Sequence, residues 1–385
     1  MPTTLNVVFV APFGLQHKTT VWARTLPLAE QLVAAGQKAT ILIPPWDSPE
    51  TAGQRDQRNG VILDQIHLTG GLPAVWTRLV MRVHALQPDI VHIVKPRAYA
   101  GLVQYWLWQR RRAHPWRLAL DVDDWEQAWA SVNRYPWALA RLLAWQEEWG
   151  LRHAHGITAA SHWLMDAAAH AAPSIPRLYL PNGVTPLATP PRTPPADDRP
   201  RILFFSRFIE VEPGWLADFW ANLQTHLRDA ELVIAGEPVQ PWLAQPFRTA
   251  LSGATNITWT GYVPPDQVPA LYASATCAIF PAAAIPLHQA KCSVRLATTL
   301  LHGVPVVAGA VGEQSHYGAE GAARLVPADA SPAEFAAAVA GIVTHPVQRS
   351  DLRANAETRL LSRYAWPDLA RQLMDFYARL LADRT

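Results

Sequence analysis

Short apolar runs bounded by turn residues recur along this chain, and most are followed by a stretch with helical apolar spacing. Leu5 to Val10 reads as a buried strand, Val21 to Ala35 as a helix closed by Gly36, and Ala39 to Ile43 as a second strand. That order is a βαβ unit, and its right-handed crossover sets the intervening loop at the carboxyl edge of a parallel sheet. Further strands are predicted around Val61 to Leu68, Asp89 to Val94, Leu118 to Val122, Gly156 to Ala160 and Leu178 to Leu180. Helices are predicted from Pro73 to Leu86, Tyr135 to His153 and Ser161 to Ala171, with Pro44 to Gly60 a polar loop.

The pattern then breaks and restarts. Seven prolines fall between Pro181 and Pro200 with no sustained apolar period, which predicts an extended linker. Beyond it, strands are expected at Arg201 to Phe205, Glu231 to Ala235, Ile257 to Thr260, Cys277 to Phe280, Val304 to Val307 and Arg324 to Val326. Helices are expected near Trp215 to Leu227, Trp242 to Leu251 and Gln267 to Ser274, then from Pro332 to Thr344, Val347 to Ser362 and Pro367 to Ala382. The expected architecture is α/β: a domain of residues 1–184, a linker of 185–200, a second domain of 201–365, and a helix of 366–385 returning to the first domain.

Composition narrows the class. At 385 residues the chain is long for one core, 50% hydrophobic and 17% charged, which suits two globular domains. A net charge of +2 gives no reason to expect nucleic acid as the main partner. Two cysteines, Cys277 and Cys292, without a Cys/His cluster at ligand spacing, support neither a disulfide framework nor a structural zinc site. The first residues lack a signal peptide's pattern and no apolar run is long enough to span a bilayer, so a cytoplasmic protein is expected. Nine of the 17 tryptophans fall between Trp106 and Trp163. Segment Tyr105 to Arg117 mixes aromatics with arginines, as suits the headgroup region of an anionic membrane; the plainer reading is a helix with Trp106 in the core and arginines in water.

Candidate chemistry lies at predicted strand ends. Ser293 is a suitable N-cap for a helix carrying Arg295 in its first turn, Lys291 lies just before it, and no Asp or Glu occurs from Pro281 to Gly312. These features suit an anion cradle, with phosphate the natural ligand; the competing reading is an ordinary amphipathic helix with solvated cations. In the first domain the loop after the first strand has Gly14 without the further glycines of a dinucleotide fingerprint, and Lys18, Thr19 and Thr20 just before the helix. Strands ending in Lys95, Pro96 and Arg97, and in Asp121, Asp123 and Asp124, place charge where α/β sheets place working groups, although Asp after a strand also caps helices.

Several fragments together resemble the GT-B glycosyltransferases, and among them the large retaining glycosyltransferase family 4. PNGV at Pro181 is similar to the domain-junction motif, ILFFSRF at Ile202 to the strand and turn opening the second domain, and ELVIAGE to the next strand. ITWTGYVPPDQVPALYASATCAIFP and HGVPVVA resemble the stretch leading to the donor site, and KTTVWARTLPLAEQLVAAG, DIVHIVKPRAY and LDVDDWE resemble a bacterial subgroup. The resemblance implies two Rossmann-like, doubly wound domains facing across a cleft. It also implies transfer of a sugar from a nucleotide-sugar to a glycan, glycolipid or similar acceptor, with retention of configuration. The nucleotide-sugar would be a substrate, with no cofactor and no metal. By that matching Arg207 and Arg295 would stabilise the leaving diphosphate, joined by Lys291 and Ser293. Ser206 holds the place of a glycine, Tyr262 and Val263 would border the base, and Gly14 and Lys18 would approach the diphosphate. Asp123 and Asp124 would face the sugar or acceptor. The pattern departs at Ala290 and Thr298, where the family often has glutamates, and at Glu212, where it has a lysine; the resemblance then implies weaker donor binding, or compensation by Glu313, by Glu237 or by a different donor. These departures keep open a catalytically silent GT-B scaffold that binds a glycan or nucleotide.

Overall fold

The computed structural model describes residues 4–15, 20–188 and 199–382. Lys18 and positions 189–198 of the expected linker lie outside the described residues. The chain forms two compact units: the first runs to Gly183 and includes Ala290–Cys292 and the residues from Trp366, and the second comprises Val184–Gln289 and Ser293–Ala365.

The first unit carries β1 (Asn6–Val10), β2 (Lys38–Ile43), β3 (Arg55–Arg58), β4 (Val61–Gln65), β5 (Ile90–Val94), β6 (Arg117–Val122), β7 (Gly156–Ala159) and β8 (Arg177–Tyr179). They form one sheet in the order β3-β4-β2-β1-β5-β6-β7-β8. Its helices are α1 (Leu26–Ala34), α2 (Gly71–Leu86), α3 (Ala98–Gln109), α4 (Trp129–Val132), α5 (Trp137–Arg152), α6 (His162–Ala171) and a C-terminal helix, Trp366–Ala382. The period-two geometry of β1 explains the layering. Val7 and Phe9 join a core with Leu28 and Leu32 of α1 and with Phe376 and Tyr377 of the C-terminal helix; Val8 and Val10 join another with α2 and α3. Gly156 permits the C-terminal helix to seat, because a Cβ there would lie 2.6 Å from the Phe376 ring. Burial on both faces makes β1 central to stability, and Phe9→Ala would cost about 3–5 kcal/mol.

Two features of this unit depart from the pattern-based expectation. Strand β3 pairs antiparallel with β4, although Pro44 to Gly60 reads as loop, because the exposed edge residues Arg55 to Arg58 carry no apolar alternation. The helix expected from Val21 opens with a π-helical turn, Val21–Thr25, before α1, which has Pro27 in its first turn, and the turn buries Arg24 and Thr25.

The second unit carries β9 (Arg201–Phe205), α7 (Pro213–His226), β10 (Glu231–Ala235), α8 (Ala244–Ala250), β11 (Ile257–Gly261), α9 (Val268–Ser274) and β12 (Cys277–Phe280). Next come α10 (Pro286–Ala290), α11 (Val294–Leu301), β13 (Val306–Gly309), α12 (Glu313–Tyr317), β14 (Arg324–Val326), α13 (Pro332–Thr344) and α14 (Pro346–Arg363). Its sheet is parallel throughout, in the order β11-β10-β9-β12-β13-β14. The strand expected from Val304 starts at Val306, since Pro305 has no N–H to give to a ladder. On one face Ile202, Phe204, Ile234 and Ile279 pack with Phe219 and Trp220 of α7 and Phe335 and Val339 of α13.

Candidate active site

The strand order of the second unit reverses between β9 and β12, and ligands of such sheets bind beyond the strand ends at that point. The turn leaving β9 is built around one carboxylate. Glu210 accepts hydrogen bonds from the Ser206 hydroxyl at 2.7 Å, the Ile209 N–H at 3.0 Å and the Arg207 N–H at 3.3 Å. Arg295, in the first turn of α11, donates from Nη2 to Glu210 Oε1 at 2.7 Å and from Nη1 to the Phe205 carbonyl at 2.7 Å. Backbone N–H groups, a hydroxyl and a guanidinium converging on one anionic group make an oxyanion nest, held here by a side chain of the same chain.

Local geometry fixes the nest. Phe208 has φ +62°, a left-handed conformation costing about 1–2 kcal/mol for a non-glycine residue. It is offset by burial of the ring against Phe247 and Trp259. The Phe208 N–H donates to Ser206 Oγ at 2.8 Å. Gly236, at φ +104°, lets β10 approach, since a Cβ there would meet the Ser206 carbonyl oxygen at 2.2 Å. Buried His288 lies with its ring nitrogens 2.8 Å from the Ile209 carbonyl and 3.0 Å from that of Ala283, bracing the turn from α10.

Arg207 points its side chain into this region half-buried, and its Nε is shielded from solvent without an acceptor among the described residues. Burial and the neighbouring Arg295 push the Arg207 guanidinium below its ordinary pKa, against the opposing pull of Glu210 and Glu237. A cation in that position gains from an added anion.

In the first unit, a charged cluster sits where β5 and β6 end. The pairing of Val94 with Asp121 brings Lys95, at φ +63°, beside the residues that follow β6. Lys95 Nζ lies 2.9 Å from Asp123, 3.1 Å from Asp124 and 3.0 Å from Glu126. Arg97 pairs with Glu126 and donates to the Tyr135 hydroxyl at 3.1 Å. The three carboxylates are close enough to ligate a cation, and the ammonium already stands among them. Asp123 is pushed up to about 6, by burial first and then by Asp124 and Asp121, with Lys95 pulling the other way. Below this cluster Arg24 forms a buried fork to Asp121, at 2.7 and 2.6 Å, and Asp121 also accepts from the Thr158 hydroxyl at 2.6 Å.

Two family models account for most of the chain: the glycosyl transferases group 1 model matches residues 199–345, and the glycosyl transferase 4-like domain matches residues 19–183. Together the two matches show the chain to be a glycosyltransferase. No curated protein matches it by sequence. Among solved structures, this glycosyltransferase is similar to sucrose-phosphate synthase from Thermosynechococcus elongatus, with a TM-score of 0.75 and 16% identity over 98% of this chain and 100% of that one. A glycosyltransferase from Rickettsia africae matches with TM-score 0.70 and 13% identity, covering 98% of this chain and 99% of that one. Anabaena HepE, solved with UDP and glucose, matches with TM-score 0.70 and 12% identity, covering 97% and 100%. These likenesses establish the GT-B fold of the glycosyltransferase.

Of the residues singled out in the sequence, Ser206, Arg207 and Arg295 come together, around Glu210. Ser293 caps α11, accepting from the Leu296 N–H at 3.2 Å, and the Thr298 hydroxyl turns back to the Val294 carbonyl at 3.0 Å and to Tyr272 at 3.1 Å. Tyr262 is exposed, directly after edge strand β11 with Val263 next, while Glu313 is buried in the first turn of α12. Lys291 belongs to the first unit, where its ammonium lies 5.4 Å from the Trp129 ring centre. Gly14 makes its close approach within its own unit: its N–H donates to Asp47 at 2.6 Å, and a Cβ would meet Ser48 Oγ at 2.3 Å. Asp123 and Asp124 are brought together with Lys95.

Glu210 escaped the sequence reading, because nothing in SRFIEVEP separates it from Glu212. Glu147 left a signal: it interrupts the buried stripe of α5 at Leu143, Gly150 and Leu151, and there it accepts the Glu126 and Gln127 N–H groups at 2.8 and 3.1 Å.

Proposed function

We propose that this glycosyltransferase takes its sugar from a nucleotide-sugar donor whose diphosphate is neutralised by Arg207 and Arg295. The observation that carries this reading is the nest at the end of β9, where two N–H groups, the Ser206 hydroxyl and Arg295 already coordinate an anionic group. As the bond from sugar to phosphate breaks, negative charge grows on the departing oxygen, and fixed cations stabilise that charge more than the ground state. Anabaena HepE, of the same fold, was solved with UDP and glucose. Asp123 or Asp124 would orient the acceptor hydroxyl, with Lys95 holding the carboxylates in place. Transfer with retention to a glycan or lipid-linked acceptor completes the proposal, with Tyr262 and Val263 at the base. The arginines of 110–112 extend it to a cytoplasmic enzyme meeting an anionic membrane; no helix among the described residues is long and apolar enough to cross one.

The test is detection of nucleotide release from UDP-, GDP- and ADP-sugars with and without candidate acceptors. Acceptor-dependent release is expected. Glu210 in the nest, with Glu212, Ala290 and Thr298, favours a second reading, a silent binding protein. Release from none of the donors, together with retained nucleotide binding, would select it.

A further inference from the structure

The tryptophan-rich part of the first unit does not turn outward as a whole. Trp116 is buried, Trp106 packs edge-on against Trp76, and Trp108 lies against His153 and His155. The outward aromatic surface is instead on α5. Trp137, Arg141, Leu142, Trp145, Glu148 and Arg152 share one exposed face of that helix, while Leu143, Gln146, Glu147, Gly150 and Leu151 turn to the core. Trp137 is 74% exposed, Leu142 46% and Trp145 44%. Tyr105 of α3, 41% exposed, carries the patch onward, 5.9 Å from Trp145 and 5.0 Å from Trp149.

Charge identifies the partner. On the α5 face Arg141 and Arg152 are exposed, the Arg141 guanidinium 5.1 Å from the Trp137 ring and Arg152 Nη1 4.0 Å from Glu148, while Arg110 and Arg112 are exposed at the end of α3, Arg110 over the Trp106 ring. Across residues 98–117 and 134–153 the acids are Glu147, which is buried, and Glu148. Exposed tryptophans and a leucine gathered on one helix face mark an interaction site, and tryptophan and arginine together suit the boundary between headgroups and acyl chains. With Arg141 and Arg152 against the one exposed carboxylate of Glu148, the face is net positive, which lipid phosphates complement.

We propose that the outer face of α5, extended by Tyr105, docks this protein on an anionic phospholipid bilayer. Trp137, Leu142 and Trp145 enter the headgroup layer while Arg141 and Arg152 meet lipid phosphates. The inference rests on the membrane reading above and moves the point of contact from Tyr105–Arg117 to α5.

The experiment is sedimentation of the full chain with vesicles of phosphatidylcholine, with and without phosphatidylglycerol, at rising salt. Three variants accompany it: Trp137→Ser with Trp145→Ser, Leu142→Ser, and Arg110→Gln with Arg111→Gln and Arg112→Gln. The expected result is binding to the anionic vesicles, weakened by salt, and lowered about tenfold or more by the tryptophan pair and less by Leu142→Ser, without change in the thermal midpoint. Absence of binding by the unaltered chain would overturn the membrane reading and the inference together. Binding untouched by both α5 variants but lost with the three arginines would overturn α5 alone and leave the membrane reading standing. A self-association abolished by the tryptophan pair, without vesicle binding, would assign the face to a second copy.

Discussion

Arg295 Nη2 lies 2.7 Å from Glu210 Oε1, so a guanidinium suited to a departing phosphate already holds a carboxylate. An incoming diphosphate competes with that internal anion for the Ser206 hydroxyl and the turn's N–H groups. Glu210→Gln keeps the shape and removes the charge. UDP binding, measured by calorimetry, is expected to tighten about tenfold, or about 1.4 kcal/mol. Weaker binding in the variant would mean that Glu210 organises Arg295 for the ligand instead of competing with it.

Arg207 and Arg295 differ in what they do for the fold. Arg295 satisfies the Phe205 carbonyl as well as Glu210, so Arg295→Ala is expected to lower stability by about 1–3 kcal/mol in urea unfolding. Arg207 sits against a like charge with its Nε unpaired among the described residues, so Arg207→Ala is expected to change stability by less than about 0.5 kcal/mol. Equal losses in the two variants would make Arg207 a structural residue.

Lys95 is the counter-charge for Asp123, Asp124 and Glu126. Replacing it with methionine leaves those carboxylates facing one another in a largely buried site. Breaking a buried pair in this way is expected to cost about 3–5 kcal/mol by denaturant unfolding at neutral pH. A cost under about 1 kcal/mol would show that water or protonation relieves the cluster.

Buried Glu147 and His92 act in opposite directions with pH. Burial, then Glu126, raises Glu147 to about 8, so between 4.5 and about 8 the unfolded chain ionises where the folded one stays protonated, and stability falls as pH rises. Burial lowers His92 to about 4, so between 6.5 and about 4 the unfolded chain takes up a proton that the folded one refuses, and stability falls as pH drops. Glu147→Gln should therefore gain on the unaltered protein as pH climbs from 4.5 to 8, read as urea midpoints. A constant difference would mean that Glu147 is ionised in the fold.

The strands were the most legible part of the chain. Arg201–Phe205, Glu231–Ala235 and Cys277–Phe280 have the bounds that their apolar runs predict, because burial on both faces leaves little room for polar residues inside them. The β3 edge was illegible, since Arg55 to Arg58 bury nothing. Of the residues that the family resemblance pointed to, Ser206, Arg207 and Arg295 meet around Glu210, whereas Lys291 and Gly14 make their contacts in the first unit. Glu210 itself was not legible, because a carboxylate folding back into its own turn leaves no period. Lys95 among three acids follows from strand register, which only the pairing of β5 with β6 supplies.

The most direct test of a nucleotide-sugar site at the end of β9 is calorimetric titration of UDP, GDP and ADP into the unaltered protein and into Arg207→Ala. Binding of one nucleoside diphosphate, weakened about tenfold or more in a variant with an unchanged thermal midpoint, is the expected result. Affinity for that nucleotide equal in both proteins would place the donor elsewhere and contradict the role given to this turn.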